Sequence, residues 1–439
     1  MLDTWRNLSP AWRAGIVSGV VIAVVGVALG GYFALRRPGD VSNPDAAFEA
    51  PTEVEKVSRA VDWPLFGYDD ERTKFLPTKR VGPPFKRIWQ YDAKVLVEFA
   101  PIIVDGRLYA IDNAGVFFSL DGKTGKVLWK RRYGSLNASS PAYADGNLYA
   151  VTLEPAQAFA VEARTGKLVW QRALPDRSES SPVVRDGRMY FGSEDGTFYA
   201  LRARDGKPVW EAQLEAEVKA APALHDGVLY IGDYAGEMYA IRARDGKIVW
   251  RASDLGVGFG RSGRFYSTPA VAFGRVFAGN VDGRVYSFEL ESGEIAWTHS
   301  AGDYVYSGIA AADTRRTKPA VYFGSHDTSF YALDARTGAE IWQEAPGGQV
   351  SGPATVVGTT AYVSTFAGGS TVGFNVRTGK RVFKYDEGEY GPVVSDGERL
   401  YVVGDSTITM LEPAPRKGKH RRPDGTKGIV GAKPRKVKG

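Results

Sequence analysis

The sequence has no cysteine. Disulfides, thiolate metal sites and a cysteine nucleophile are therefore excluded. It has four histidines, His225, His299, His326 and His420, too scattered to suggest a histidine-built metal centre. Net positive charge is confined to one end. Pro413–Gly439 hold ten Lys/Arg and one acid, a net +9, so the rest of the chain carries −3 of the overall +6. A nucleic-acid partner for the globular part is not expected, and the basic balance belongs to a tail. Four Gly-Lys pairs (Gly125-Lys126, Gly166-Lys167, Gly206-Lys207, Gly246-Lys247) lack the following Ser/Thr of a phosphate loop. They read as hairpin turns. No kinase signature precedes the globular part.

Long apolar runs are equally scarce, with one exception. Gly15–Leu35 run for 21 residues without a charge, flanked by Trp12 and Arg36-Arg37. As a helix this is about 31 Å, close to the roughly 30 Å hydrocarbon core of a bilayer. A cleaved signal peptide usually has a shorter apolar region of about 7 to 15 residues. The run reads as an uncleaved single-pass anchor, residues 14–37, after a short segment 1–13. Two arginines on each side leave its orientation nearly balanced. Residues 38–62, with Pro38, Pro44 and Pro51, read as a flexible spacer.

What the chain has in abundance is glycine, 52 residues, and aromatics, 12%. They fall in a repeat. A glycine followed four residues on by an aromatic recurs as Gly125/Trp129, Gly166/Trp170, Gly206/Trp210, Gly246/Trp250, Gly293/Trp297, Gly338/Trp342 and Gly379/Phe383, and Trp89 precedes the series. Each unit carries four short apolar bursts, and Asp-Gly pairs such as 105–106, 145–146 and 186–187 join the first two. Such pairs suit two-residue hairpins. A period near 40 with four strands per unit predicts a β-propeller. Seven units are whole. An eighth begins at Pro392 and stops without its aromatic strand, which Ile88–Trp89 supply from the front. The expected fold is all-β: an eight-bladed propeller over 85–412, closed by pairing N- and C-terminal strands and preceded by a single transmembrane helix. Residues 63–84 form a lead-in and 413–439 a disordered basic tail. The tryptophans are expected to pack between blades and to donate through their N–H.

Tyr199–Trp210 (YALRARDGKPVW), Tyr239–Trp250 (YAIRARDGKIVW) and Tyr331–Trp342 (YALDARTGAEIW) resemble the repeats of the PQQ-like propeller family. The lead-in WPLFGYDDERTKF, Trp63–Phe75, resembles the segment preceding such propellers. The family includes quinoprotein dehydrogenases, the outer-membrane assembly scaffold BamB and sensor domains, so the resemblance implies the fold and leaves the chemistry open.

Three readings of function follow. The first is a membrane-anchored, non-catalytic scaffold or protein-interaction module of the cell envelope, with the propeller extracytoplasmic. The second, implied by the resemblance, is an oxidoreductase using PQQ and calcium. The chain lacks the adjacent cysteines of many alcohol-oxidising members, and no catalytic, cofactor or metal ligand is transferred. The third is an extracytoplasmic ligand-binding sensor. Its candidate site is the axial rim, three residues before each first-strand proline: Glu98, Glu179, Lys219, Tyr266, Tyr306 and Glu389, with Ala138 and Val350 completing the ring. Converging carboxylates there favour a cation or polar ligand. The loop Ser253–Ser267 departs furthest from the period, and Phe259, Arg261, Arg264 and Phe265 are its candidate partner contacts. The insertion Asp313–Ala320 reads as a solvated hairpin tip. The tail is expected to meet anionic lipid or wall polymer.

Overall fold

The computed structural model describes residues 9, 23–26, 38–51, 60–256, 263–366, 369–391 and 393–415. Most of the expected anchor and the tail from 416 lie outside the described residues. Among the described residues no helix is long and apolar enough to cross a membrane.

Eight antiparallel sheets surround one axis. Blade 1 is typical: Ile102–Val104, Arg107–Ile111, Val116–Asp121 and Val127–Arg132 pair in sequence order. Its first turn has Asp105 and Gly106 at φ 50° and 71°, the left-handed pair that a type I′ hairpin demands. Inner strands are buried along most of their length, and the outer strand is exposed except at Trp129. The burial pattern is that of blades packed face to face. Blade 8 is stitched from both ends, Phe85–Asp92 pairing antiparallel with Thr407–Pro413. The ring therefore closes by backbone hydrogen bonds and leaves no free edge at the joint.

Each blade is locked to the next by one repeated contact. The Trp129 Nε1 donates to the Ala163 carbonyl (3.0 Å), Trp170 to Ala203 (2.6 Å), Trp210 to Ala243 (2.9 Å) and Trp342 to Val376 (3.0 Å). The indole lies flat against the next blade's turn glycine, so Gly166 sits under Trp129 and Gly206 under Trp170. Trp89 does the same for blade 1, bonding Gly122 (3.1 Å) across the joint. Phe383 has no such N–H, and none is needed. Blade 8 has no turn between its last two strands because the chain ends fall there. Phe383 packs instead on Phe85 and Tyr362.

The expected flexible spacer is in part a docked strap, a correction to the sequence reading. Residues 38–49 run down the outer edge of blade 5. The Thr298 N–H donates to the Val41 carbonyl and the Asn43 N–H to the Ala296 carbonyl, a short antiparallel pairing. Arg275, itself buried, donates to the carbonyls of Ala46 and Ala47. Proline content signalled extension, and extended backbone finds its partners on a sheet edge as readily as in water. Replacing Arg275 by Met is expected to release the strap. Limited proteolysis should then cut within 38–51 while the propeller stays intact. Unchanged resistance would show that the edge pairing suffices without the arginine.

Candidate functional site

The lead-in does not stay outside the ring. It enters the axis and touches every blade. Trp63 pairs with Ile103 of blade 1, and the Pro64 carbonyl accepts from Tyr143 of blade 2. Arg72 reaches the Ser181 and Pro182 carbonyls of blade 3 and the Pro222 carbonyl of blade 4. The Glu71 and Thr73 carbonyls accept from Val271 of blade 5 and Ala311 of blade 6. Phe75–Leu76 pair parallel to blade 7 at Val356–Val357, and the Val61 N–H donates to Asp396 of blade 8. First strands are short and leave inward-facing N–H groups. The lead-in satisfies them, as buried backbone requires.

This stopper carries two buried cations, Arg72 and Lys74, and a partly exposed carboxylate, Asp69. Arg72 donates to four carbonyls, Phe66 being the fourth, and burial lowers its pKa to about 10. Burial raises Asp69 to about 7, even though Thr73 donates to it through backbone and hydroxyl. Burial, reinforced by Arg72, lowers Lys74 to about 7; its ammonium donates to the Arg72 (2.8 Å) and Ile309 (3.0 Å) carbonyls. For Lys74 the folded value lies below the ordinary 10.5, so the unfolded chain holds the extra proton between them. Stability from this group is therefore complete above pH 10.5 and is lost as pH falls through 7, with a slope up to about 1.4 kcal/mol per pH unit. Asp69 acts below that window. Lys74→Met is expected to flatten the rise in unfolding free energy between pH 7.5 and 9.5 (roughly the middle of that window). Urea titrations at several pH values measure it, and an unchanged slope would remove Lys74 as the cause.

Above the stopper lies a cavity of about 260 Å³. Phe66 of the lead-in forms part of its lining, so the axis is a blind pocket rather than an open channel. Five of the six residues expected at the rim line it: Glu98, Glu179, Lys219, Tyr266 and Tyr306. The Lys219 ammonium binds the Glu179 (2.9 Å) and Glu194 (3.0 Å) carboxylates. Burial pushes the Glu179 carboxyl up, with Lys219 opposing. Burial likewise opposes the Lys219 charge, yet its two carboxylate partners hold its pKa above the ordinary value. The Tyr266 hydroxyl donates to Glu179 (3.4 Å), and burial followed by the nearby carboxylate raises its pKa well above the ordinary range. Tyr266 meets Tyr306 edge to face at 5.4 Å.

Two positions differ from the sequence register. In blade 7 Thr355 pairs with Tyr362, as Ile102 does with Tyr109 in blade 1, so the strand starts one residue later than Pro353 implied. In blade 8 Val394 pairs with Tyr401, one later than Pro392 implied. A one-residue slip turns each side chain to the other face. Ser351 and Tyr390 thus line the pocket where Val350 and Glu389 were expected, while Val350 is buried against Gly324. Glu389 stays half-buried beside the pocket; burial, then Asp405 and Glu98, raise its carboxyl.

A second ring went unread in the sequence. It lies four residues past the second-strand aromatic that pairs with the first strand, at Asn113, Glu194, Tyr234, His326, Phe366 and Asp405, with Leu153 and Val281 at the same position in blades 2 and 5. Asn113 donates to Glu98 (2.9 Å), His326 Nε2 bonds Ser351 (2.8 Å), and Phe366 packs on Tyr390 at 5.0 Å. Burial lowers His326 below the ordinary histidine value. Aligning the units on the second strand, rather than on the proline, exposes this ring.

The loop Ser253–Ser267 is only partly described, and Phe259 and Arg261 lie outside the described residues. Arg264 lies over the Tyr234 ring at 5.3 Å, at the mouth. Phe265 is fully buried between Tyr286 and Phe288, so it belongs to the core and not to a partner surface. The tip of Asp313–Ala320 holds an exposed Arg315 paired with Asp313. No group of His, Asp and Glu among the described residues is arranged to hold a metal ion.

The architecture is that of an eight-bladed propeller whose own leader stoppers an axial pocket. The sequence pattern of the family described as outer membrane protein assembly factor BamB matches residues 134–344 and, overlapping, 203–419, and the chain belongs to that family. BamB from Moraxella catarrhalis superposes with a TM-score of 0.64 at 18% identity, covering 75% of this chain and 100% of that one. The quinohemoprotein alcohol dehydrogenase from Comamonas testosteroni gives 0.65 at 14% identity, covering 85% and 83%. At these identities the likeness is one of fold. A 1-butanol dehydrogenase (cytochrome c) of Thauera butanivorans is 35% identical over 74 residues, 16% of this chain and 11% of that enzyme's length.

Proposed function

We propose that the chain is a membrane-anchored, non-catalytic propeller that serves as an interaction scaffold in the cell envelope, its partners docking on the outer blade edges. The observation that supports this is the contrast between blade 5 and its neighbours. On blade 5 the strap pairs with the outer strand, and Ala296 beneath it is 1% exposed. The equivalent positions on blades 1 to 4, Leu128, Val169, Val209 and Val249, are 41–50% exposed. Val127, Leu168 and Ile248 extend the apolar stretch on three of them. The edge of a sheet with apolar side chains is a template for an extended segment. The strap supplies the pattern within the same molecule. The propeller is placed outside the cytoplasm, tethered by the apolar run 14–37.

A photo-crosslinking residue at 128 or 209 of the full chain, expressed in intact cells, should give discrete protein adducts that disappear with Val169→Lys and Val249→Lys. Adducts equally abundant from exposed floor positions such as Arg244, or none at all, would remove the edge-docking reading.

The pocket does not suit the quinoprotein alternative. PQQ is a planar tricarboxylate. The lining presents Glu98 and Glu179, and its lysine is already bound by two carboxylates. No tryptophan or arginine is among the lining residues. The residues present do not fit an anionic quinone, and no step is derived through one. Titration with PQQ and calcium should give no saturable signal at micromolar concentration; a saturable one would reinstate the oxidoreductase.

A further inference from the structure

We propose that the axial pocket is a binding site for an organic ammonium ion, a charged amine carrying a small apolar body. Three observations carry it. The pocket is concave, closed below by the lead-in, and walled by aromatic rings: Phe66 and Phe99 in tilted contact at 5.8 Å, Tyr266 and Tyr306 edge to face, and Tyr390 backed by Phe366. Aromatic faces attract cations and tolerate apolar groups.

The charge around it is negative on balance among the described residues: Glu98, Glu179, Glu194, Glu389 and Asp405 outnumber Lys219 and Arg264. Lys219 is neutralised by Glu179 and Glu194. Glu98 lines the pocket, and among the described residues its side-chain partner is the neutral Asn113 amide. Glu389 and Asp405 stand close to it without an ion pair among the described residues. Burial disfavours the cationic form of His326. A cation entering the pocket thus offsets the carboxylate crowding from Asp405 and Glu98 that adds to burial in raising the Glu389 carboxyl.

The arrangement also selects the kind of cation. A bare divalent ion needs several oxygens converging on one point. Here the carboxylates are spread around the wall and form no such cluster among the described residues. A diffuse ammonium on an apolar body matches dispersed carboxylates and ring faces together. Anionic ligands meet like charge. The pocket volume of about 260 Å³ sets the scale as a small molecule or a single long side chain.

The test uses the full chain in detergent, titrated calorimetrically with choline, butylammonium and the neutral choline isostere 3,3-dimethyl-1-butanol. At least one ammonium should bind saturably, and the neutral isostere about tenfold more weakly or not at all. Glu98→Gln, which keeps the size and the Asn113 contact, should weaken the ammonium about tenfold with an unchanged melting temperature. Tyr306→Leu should weaken it as well. Failure of every ammonium to bind at about 10 mM, equal binding of the isostere, or indifference to Glu98→Gln would each overturn the proposal. N-acetyl-lysine methylamide separates two sources of the same chemistry. If it binds as well as butylammonium, the natural occupant is a partner's lysyl side chain; if only the free amines bind, it is a small molecule. Loss of edge crosslinking leaves these outcomes unaffected, so the two proposals fail separately.

Discussion

Arg72→Met is expected to destabilise the propeller by about 3–5 kcal/mol, the range for breaking a fully buried charged network. Arg72 has no exposed surface, and its guanidinium ties together the carbonyls of Phe66, Ser181, Pro182 and Pro222. Met fills a similar volume without donating a hydrogen bond, so those acceptors lose their partner in a site closed to water. Arg185 provides the control. It pairs with Asp70 on the same lead-in but is 58% exposed, so Arg185→Met should cost only about 0–1 kcal/mol. Urea midpoints compare the two directly. A cost under about 1 kcal/mol for Arg72→Met would mean that the stopper sits in the axis without holding the blades together.

The second large effect belongs to the turn glycines, and a matched pair isolates its cause. Gly206 and Gly187 have nearly the same backbone, φ 68° and 69°. A Cβ on Gly187 meets nothing within 4 Å, whereas one on Gly206 falls 2.5 Å from the Trp170 ring. Gly187→Ala should therefore cost only the left-handed strain, about 1–2 kcal/mol. Gly206→Ala adds to it the displacement of a buried indole bonded to Ala203, with overpacking of about 1–3 kcal/mol more. Equal losses in denaturant unfolding would show that the indole yields freely, and the inter-blade lock would be weaker than its repetition implies.

The ring itself was legible in the sequence because it is periodic. Gly and Trp recur four apart in each unit, and the leftover strands at the two ends complement each other. The missing indole at Phe383 falls where the structure has no turn to receive it. The stopper was illegible because its partners are spread over eight blades, so no local period marks it. Gly67, Arg72 and Lys74 adopt left-handed backbone there, a conformation that pattern alone does not announce for arginine or lysine. The rim positions fall at the expected residues in blades where proline stands one place before the first strand. They shift by one residue to Ser351 and Tyr390 where proline stands two places before it. The second ring was missed because its members, from Asn113 to His326 to Asp405, share a position and no chemistry.

The strap also sets how far the disc can stand from a bilayer. Asp40 accepts from Ser300, at the end of the outer strand that leads to Tyr306, on the pocket-mouth side. Glu49 ends on the Phe273–Gly274 turn at the opposite side. On the proposal that Gly15–Leu35 span a membrane, only two residues, 36–37, separate that run from the strap, which begins at Pro38, whose carbonyl accepts from Arg284; two residues reach at most about 7 Å. On the same proposal the propeller would hang close, with its mouth side nearest the lipid at blade 5. A ligand of the pocket would then enter through a narrow gap, which suits small solutes and juxtamembrane segments of neighbours better than a folded domain.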